Sequence, residues 1–470
     1  MRSEPASFID EEQINSLLVE AARPSAALGR EIISRAQGAR GLTPFEAAVL
    51  LHTEDQDTLE MMFSAAFAVK EKIYGKRLVL FAPLYISNYC INNCRYCGYR
   101  RDNRELRRRR LTLDEIREEV IALEAMGHKR LAVEAGEDPQ QCPIDYVLDA
   151  IRTIYAVKDG TGSIRRINVN IAATTVEEYR RLKEVGIGTY ILFQETYHRP
   201  TYLAMHPSGP KRDYDWHTTA MDRAMAGGID DVGIGVLFGL YDYKFEVLAL
   251  LFHALHLEER FGVGPHTISV PRLRPALNIN LENFPYLVSD RDFKKAVAVL
   301  RLAVPYTGMI LSTRERPEFR DELIAAGISQ ISAGSCTGVG GYRHDRQESP
   351  GEAEDTAQFQ VEDRRSPDEV LRNVCLSGYI PSFCTACYRQ GRTGDRFMPL
   401  AKTGQIQNVC QPNAILTFKE FLLDYASPET RRVGEETIQK HLDLIASPGV
   451  RNETVARLTR IEQGERDLYF

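Results

Sequence analysis

The chain has 470 residues, 43% hydrophobic and 26% charged, with a formal net charge of −6. This is the composition of a globular protein. Its acidic balance gives no electrostatic footprint for nucleic acid, and no apolar run approaches the roughly 20 residues that cross a membrane. The first ten residues carry acids and no apolar stretch, so no secretory leader is expected and the location is read as cytoplasmic.

In chain order, residues 1–76 read as a helical extension with helices at 11–22, 27–36, 44–51 and 57–73. Thr43 and Pro44 form a good helix start, as N-cap and first-turn residue. From residue 78, β-rich runs alternate with amphipathic helical stretches. The strands are expected at 78–85, 130–134, 166–170, 189–194, 231–237, 266–270, 309–312 and 330–331. Helices between them include 112–126, 176–184, 215–226, 245–260 and 290–303, most followed closely by glycine. Eight such alternations specify an α/β fold, a (β/α)8 TIM-type barrel over 77–342. Its active site belongs at the C-terminal ends of the strands. Residues 343–365 are polar and read as a linker or surface loop. They open a C-terminal unit, 343–470, that ends in a charged helical tail from about 428.

Six of nine cysteines fall in two tight groups, which favours metal binding over a disulfide framework; Cys142, Cys336 and Cys375 stand alone. Cys90, Cys94 and Cys97 follow the first strand at C-x3-C-x2-C spacing. Three thiolates hold three irons of a [4Fe-4S] cluster and leave the fourth open, whereas a closed zinc site wants four ligands. Tyr96 precedes the last cysteine and would shield the cluster. The motif, in this position, resembles the signature of the radical S-adenosylmethionine (SAM) superfamily. The resemblance implies a radical SAM barrel whose open iron binds the SAM amino and carboxylate groups. One electron then cleaves SAM, and the resulting 5′-deoxyadenosyl radical abstracts a hydrogen from substrate. Ala135-Gly136-Glu137-Asp138, after the second strand, is similar to the family segment that contacts the SAM amino group.

The second group is Cys384-Thr-Ala-Cys387, then 22 residues, then Cys410. Read alone, these are equally the ligands of a structural cluster or zinc site that borrows a fourth group. Taken with the first motif, the spacing resembles the tyrosine-lyase maturase family of [FeFe]-hydrogenase. So do the segments 81–90, 168–175, 190–198, 228–236, 264–272 and 391–397. That resemblance implies cleavage of the Cα–Cβ bond of L-tyrosine to p-cresol and dehydroglycine. The fragment then passes through the barrel and becomes carbon monoxide and cyanide at the second [4Fe-4S] cluster. An extra iron there would be bridged by a free, non-protein cysteine and held by a histidine, and Gly264-Pro265-His266 matches the histidine's motif. A flavodoxin- or ferredoxin-type electron donor and other hydrogenase maturation proteins are the implied partners.

The ends of the other strands supply further candidates. Arg272 and Arg274 are placed to take a substrate carboxylate, with salt bridges to nearby acids as the alternative. Ser312 and Arg314 close the seventh strand. Gln194, Glu195 and Tyr197 end the fourth and are placed to orient SAM or take the phenolic proton; Glu134 and Asn170 are similarly placed. The basic run from Arg104 to Arg110 is either a solvated loop or a docking patch for an acidic electron donor. Two positions depart from the family pattern. Gly98-Tyr99-Arg100 stands where Pro-Tyr-His is expected, and Cys336 stands where arginine is expected, a change read as bearing on the second site. The competing functions are a thiamine-pathway tyrosine lyase, a sulfur-inserting enzyme of the biotin synthase kind, and a non-enzymatic cluster-carrier scaffold.

Overall fold

In the computed structural model, which describes residues 5–345 and 356–470, eight parallel strands close a barrel. They are β1 Arg77–Ser87, β2 Arg130–Ala135, β3 Arg166–Asn170, β4 Tyr190–Ile191, β5 Val232–Gly235, β6 Thr267–Ser269, β7 Gly308–Leu311 and β8 Gln330–Ser332. Neighbours pair in chain order, and β1 pairs with both β8 and β2 to shut the ring. Helices return the chain along the outside. Thr112 and Thr175 start two of them with reciprocal capping boxes, Glu115 and Glu178 reaching back.

The N-terminal helices form an added outer layer. Pro44–Leu51 and Gln56–Tyr74 pack on the barrel helix Asp290–Ala303. That helix is consequently buried over nearly its whole length, down to Lys295 and Arg301. Arg301 is accommodated because its guanidinium donates to the carbonyls of Pro305, Thr307 and Gly327.

A ninth strand, β9 Ile380–Ser382, pairs in parallel with the start of β1, Arg77 to Val79. β2 pairs with β1 only from Ala82 upward. The seam between β1 and β2 is thus parted at the lower, N-terminal end of the barrel, and β9 fills it. Helices Pro367–Leu376, Gln407–Asp424 and Pro428–Asp443 pack around β9.

Three local expectations change. The fourth strand, expected over 189–194, is regular only at Tyr190–Ile191, although Leu192 and Gln194 still donate to the carbonyls of Gly233 and Gly235 as far as the bridge at Glu195, where φ is +69°. The helix expected over 215–226 breaks at Thr219 into Tyr214–Thr218 and Ala220–Ala226. β9 was not anticipated, since three residues centred on Pro381 carry no strand signal. Part of the expected loop at 343–365, namely 346–355, lies outside the described residues. No helix among the described residues is long and apolar enough to cross a membrane.

Side chains alternate across a strand, and this period sets the barrel interior. β3 turns Arg166, Asn168 and Asn170 inward; β2 turns Arg130, Ala132 and Glu134; β1 turns Arg77, Val79, Phe81, Pro83 and Tyr85. The upper members of each series line one cavity and the lowest line another.

Candidate active site

Cys90, Cys94 and Cys97 sit on the loop after β1, over the C-terminal ends of the strands. Polar side chains fix that loop. The Asn88 amide spans the Arg107 carbonyl (2.8 Å) and the Arg109 N–H (2.7 Å). Arg108 donates to the carbonyls of Asn88, Tyr99 and Arg100. Asn92 accepts from the Lys211 N–H at 2.9 Å and donates to Glu137. A Cβ at position 136 would lie 2.3 Å from the Tyr89 carbonyl oxygen, so the end of β2 can close against the loop only as glycine.

The three thiols line a cavity of about 210 Å³ whose walls include Glu134, Asn170, Glu195, Lys211 and Arg314. Burial raises all three thiols, Cys97 to about 11. Metal ligation would reverse that penalty by stabilising thiolate. Among the described residues, no three His, Cys, Asp or Glu side chains converge on a single ion. A cluster needs no such convergence, because each thiolate takes a different iron. Ser312 Oγ and Ser335 Oγ are buried beside the cavity without a partner, as expected of walls that meet a polar ligand. The donor set fits an iron–sulfur cluster with SAM beside it.

Burial and pairing set the charges in this cavity. Burial pushes Glu134 up to about 8, against the pull of Arg314 and Asn170, and also raises Glu137. Burial alone would lower Lys211; the Glu195 carboxylate 2.6 Å away outweighs it, and the lysine's pKa is raised. The Arg314 guanidinium lies 3.3 Å from the Phe359 ring centroid. Tyr96 packs against His206, its hydroxyl 2.8 Å from Nε2.

At the other end of the barrel, a smaller cavity of about 50 Å³ is lined by Cys384, Cys387, Cys410, His266 and three arginines. Cys384 follows β9, Cys387 is in the short helix Ala386–Arg389, and Cys410 is in the first turn of Gln407–Asp424. The Ala386 N–H lies 3.4 Å from Cys384 Sγ. A hydrogen bond from the Cys410 thiol, with Arg392 and Arg77 nearby, pulls Cys387 down to about 6, and Cys410 rises in turn. Burial pushes His266 down to about 4 despite Asp231. It is therefore neutral and open to metal ligation, with Nε2 3.1 Å from the Tyr388 hydroxyl and Nδ1 3.4 Å from Asp231 Oδ1. This donor set also fits an iron–sulfur cluster. The Arg166 Nε bond to Asn168 Oδ1 (2.9 Å) links the floor of the upper cavity to the roof of the lower.

Residues 84–252 match the model of the Radical SAM superfamily, and residues 269–380 that of the Biotin and Thiamin Synthesis associated domain. The 2-iminoacetate synthase of Escherichia coli (strain K12) is 31% identical over 350 residues, 74% of this chain and 89% of that enzyme. A crystal structure of HydG, a maturase of the [FeFe]-hydrogenase, superposes with a TM-score of 0.95 at 65% identity, covering 99% of this chain and 100% of that one. The chain belongs to the HydG family of radical SAM enzymes. HydG from Carboxydothermus hydrogenoformans superposes with a TM-score of 0.84 at 41% identity, covering 96% and 99%.

Several residues picked out at the strand ends lie elsewhere. Arg272 donates to Glu315 and to the Val288 carbonyl and pairs with Asp290; Arg274 donates to Glu315. These are the salt bridges weighed as the alternative, and neither arginine lines the cavity. Gln194 donates to Thr218 Oγ1 at 2.8 Å, and the Tyr197 hydroxyl lies 2.7 Å from His253 Nδ1. Neither lines the cavity; Gln194 alternates with Phe193 and Glu195, which do. Ser312, Arg314, Glu134, Gly136, Glu137, Asn170, Glu195 and Tyr96 are brought together around the thiols.

The two departures from the HydG pattern have local readings. Gly98 donates to the Gln358 carbonyl, and a Cβ there would come within 2.7 Å of the same oxygen, so the approach of segment 356–360 favours glycine. Cys336 is flanked by Ser335 and Thr337 of the upper cavity, and its N–H donates to the Tyr342 hydroxyl. Its two neighbours line the first cavity and none of the three lines the second. Sequence reasoning missed Lys211, since nothing marks a lysine on a loop as buried. It also missed Arg77, Arg130 and Arg166, for which a signal existed: each is a charged residue at the start of an otherwise apolar strand.

Proposed function

We infer that this chain is a radical SAM tyrosine lyase. It cleaves the Cα–Cβ bond of L-tyrosine to p-cresol and dehydroglycine, and converts the latter to carbon monoxide and cyanide for assembly of the [FeFe]-hydrogenase cofactor. The observation that carries this reading is two cysteine triads at opposite mouths of one barrel, connected by the inward face of β3.

Bound at Cys90, Cys94 and Cys97, a [4Fe-4S] cluster with SAM supplies a radical able to take a hydrogen atom from tyrosine. The chain's own residues do the rest. Glu137, tied to the cysteine loop through Asn92, and Glu134 with Asn170 are placed to receive the SAM ammonium. Arg314, which has no hydrogen-bond acceptor among the described residues, offers its guanidinium to the tyrosine carboxylate in place of Arg272 and Arg274. The Lys211–Glu195 pair lies beside the thiols, where Glu195 can accept a proton from a phenol. At the lower mouth, Cys384, Cys387 and Cys410 would hold the second [4Fe-4S] cluster. Neutral His266 would hold the extra iron carried through a free cysteine. A flavodoxin- or ferredoxin-type donor is the reductant, and hydrogenase maturation proteins receive the product.

The likeness to 2-iminoacetate synthase supports a second reading, in which dehydroglycine is the final product. The protein, reconstituted anaerobically with SAM, L-tyrosine and a reductant, separates them: p-cresol and carbon monoxide together are expected. p-Cresol without carbon monoxide favours the second reading, and neither, with SAM cleaved, refutes the substrate.

A further inference from the structure

Three buried arginines face the second cavity. Arg77, Arg130 and Arg166 are the lowest inward residues of β1, β2 and β3, and each is buried. No carboxylate is among the residues that line this cavity; Asp231 lies behind His266. Arg166 is satisfied, donating to Asn168 and Thr189 and stacking on Tyr388. The other two are not. Nε of Arg77 and Nε of Arg130 are buried with no partner. Arg130 spends only Nη1, on the Cys384 carbonyl at 3.0 Å, which leaves its Nε–Nη2 edge free. Arg77 has no hydrogen-bond acceptor among the described residues; its guanidinium lies 5.8 Å from the Tyr74 ring centroid. Unsatisfied buried donors carry their full desolvation penalty, so a site like this is built for an acceptor.

A cluster on the three thiolates would bring some negative charge. It has no planar oxygen pair to match a guanidinium edge, and a carboxylate does. We propose that Arg77 and Arg130 form a carboxylate-binding subsite of the second cavity, which receives a two-carbon α-imino or α-keto acid. The inference rests on the lyase reading above, because the dehydroglycine formed there is such an acid. The subsite gives it a docking point beside the second triad.

Glyoxylate, the stable α-keto counterpart, is the probe. Reconstituted holoenzyme without tyrosine is titrated with carboxylate-labelled [13C]glyoxylate. Binding is followed by calorimetry and by 13C hyperfine coupling to the paramagnetic second-site cluster. One equivalent is expected to bind, at least tenfold more weakly in Arg77→Met and in Arg130→Met. Arg130→Lys, which keeps the charge and loses the fork, should fall between. Thermal unfolding of each variant monitors folding. Failure of the wild type to bind, or unchanged affinity in both Met variants, overturns the subsite. So does loss of second-site iron in Arg130→Met that Arg130→Lys restores together with full affinity; the arginines would then only balance the cluster. The titration uses no tyrosine, so a wild type that binds glyoxylate but makes no p-cresol speaks against the lyase reading and not against the subsite.

Discussion

Lys211 and Glu195 show what single residues contribute at the upper mouth. Their side chains are 17% and 11% exposed and 2.6 Å apart, and breaking such a pair leaves one charge stranded. Lys211→Met should therefore cost roughly 3 kcal/mol of stability, and adding Glu195→Gln should recover most of it. Chemical denaturation of the three variants tests this; a double variant no better than the single one would show that the pair is not the source. Glu246 illustrates burial without an ion pair. Its carboxyl accepts from Thr196 and from the Tyr197 N–H, yet burial still pushes it up to about 8. The folded form thus keeps a proton that the unfolded chain releases near 4.5. This group's contribution to stability is fully present below about pH 4.5 and is lost as pH rises to about 8. Glu246→Gln, neutral throughout, should flatten that decline by up to about 1.4 kcal/mol per pH unit. Equal slopes in denaturation series from pH 5 to 8 would show that the carboxyl ionises freely in the fold.

Among elements, β3 and the cysteine loop carry most of the design. The five residues of β3 were legible in the sequence to the residue, because Ile167 and Val169 face the apolar layer and give the strand its period. What could not be read was that the polar residues between them serve two cavities at once; that depends on strand register around a closed barrel. The contrast with β4 is physical too. Its run of apolar and polar residues fits a strand, but Ile191, Phe193 and Glu195 take the cavity face, so Gln194 between them turns away, and the positive φ at Glu195 ends the period before Tyr197. The basic run after the loop divides in a way its composition hides. Arg108 and Arg109 are spent on loop carbonyls and Glu115, whereas Arg104 and Arg107 are exposed. Arg104→Glu with Arg107→Glu should slow reduction by an acidic flavodoxin severalfold at low salt and leave dithionite reduction unchanged. A rate independent of both charge and salt would remove this surface from donor docking.

For the whole molecule, the two sites are separable by mutation. Cys384→Ala with Cys387→Ala should preserve p-cresol formation and abolish carbon monoxide, since neither residue touches the upper cavity. Parallel loss of both products would mean that the lower triad supports the barrel itself. The barrel class was readable from eight alternations of strand and helix. The junction between barrel and C-terminal unit was not, because β9 is held by pairing with β1 and not by any preference of its own three residues.

That pairing has a consequence for synthesis. Arg77 and Ile380 are roughly 300 residues apart in the chain, so at ordinary translation speeds the start of β1 waits on the order of 15 to 60 seconds for its partner to be made. Until then the nascent barrel presents a bare strand edge at its lower rim, and such edges invite pairing with other chains. The protein should lean on chaperones that shield the growing chain, and overproduction in cells lacking them should divert it into aggregates before any iron is delivered.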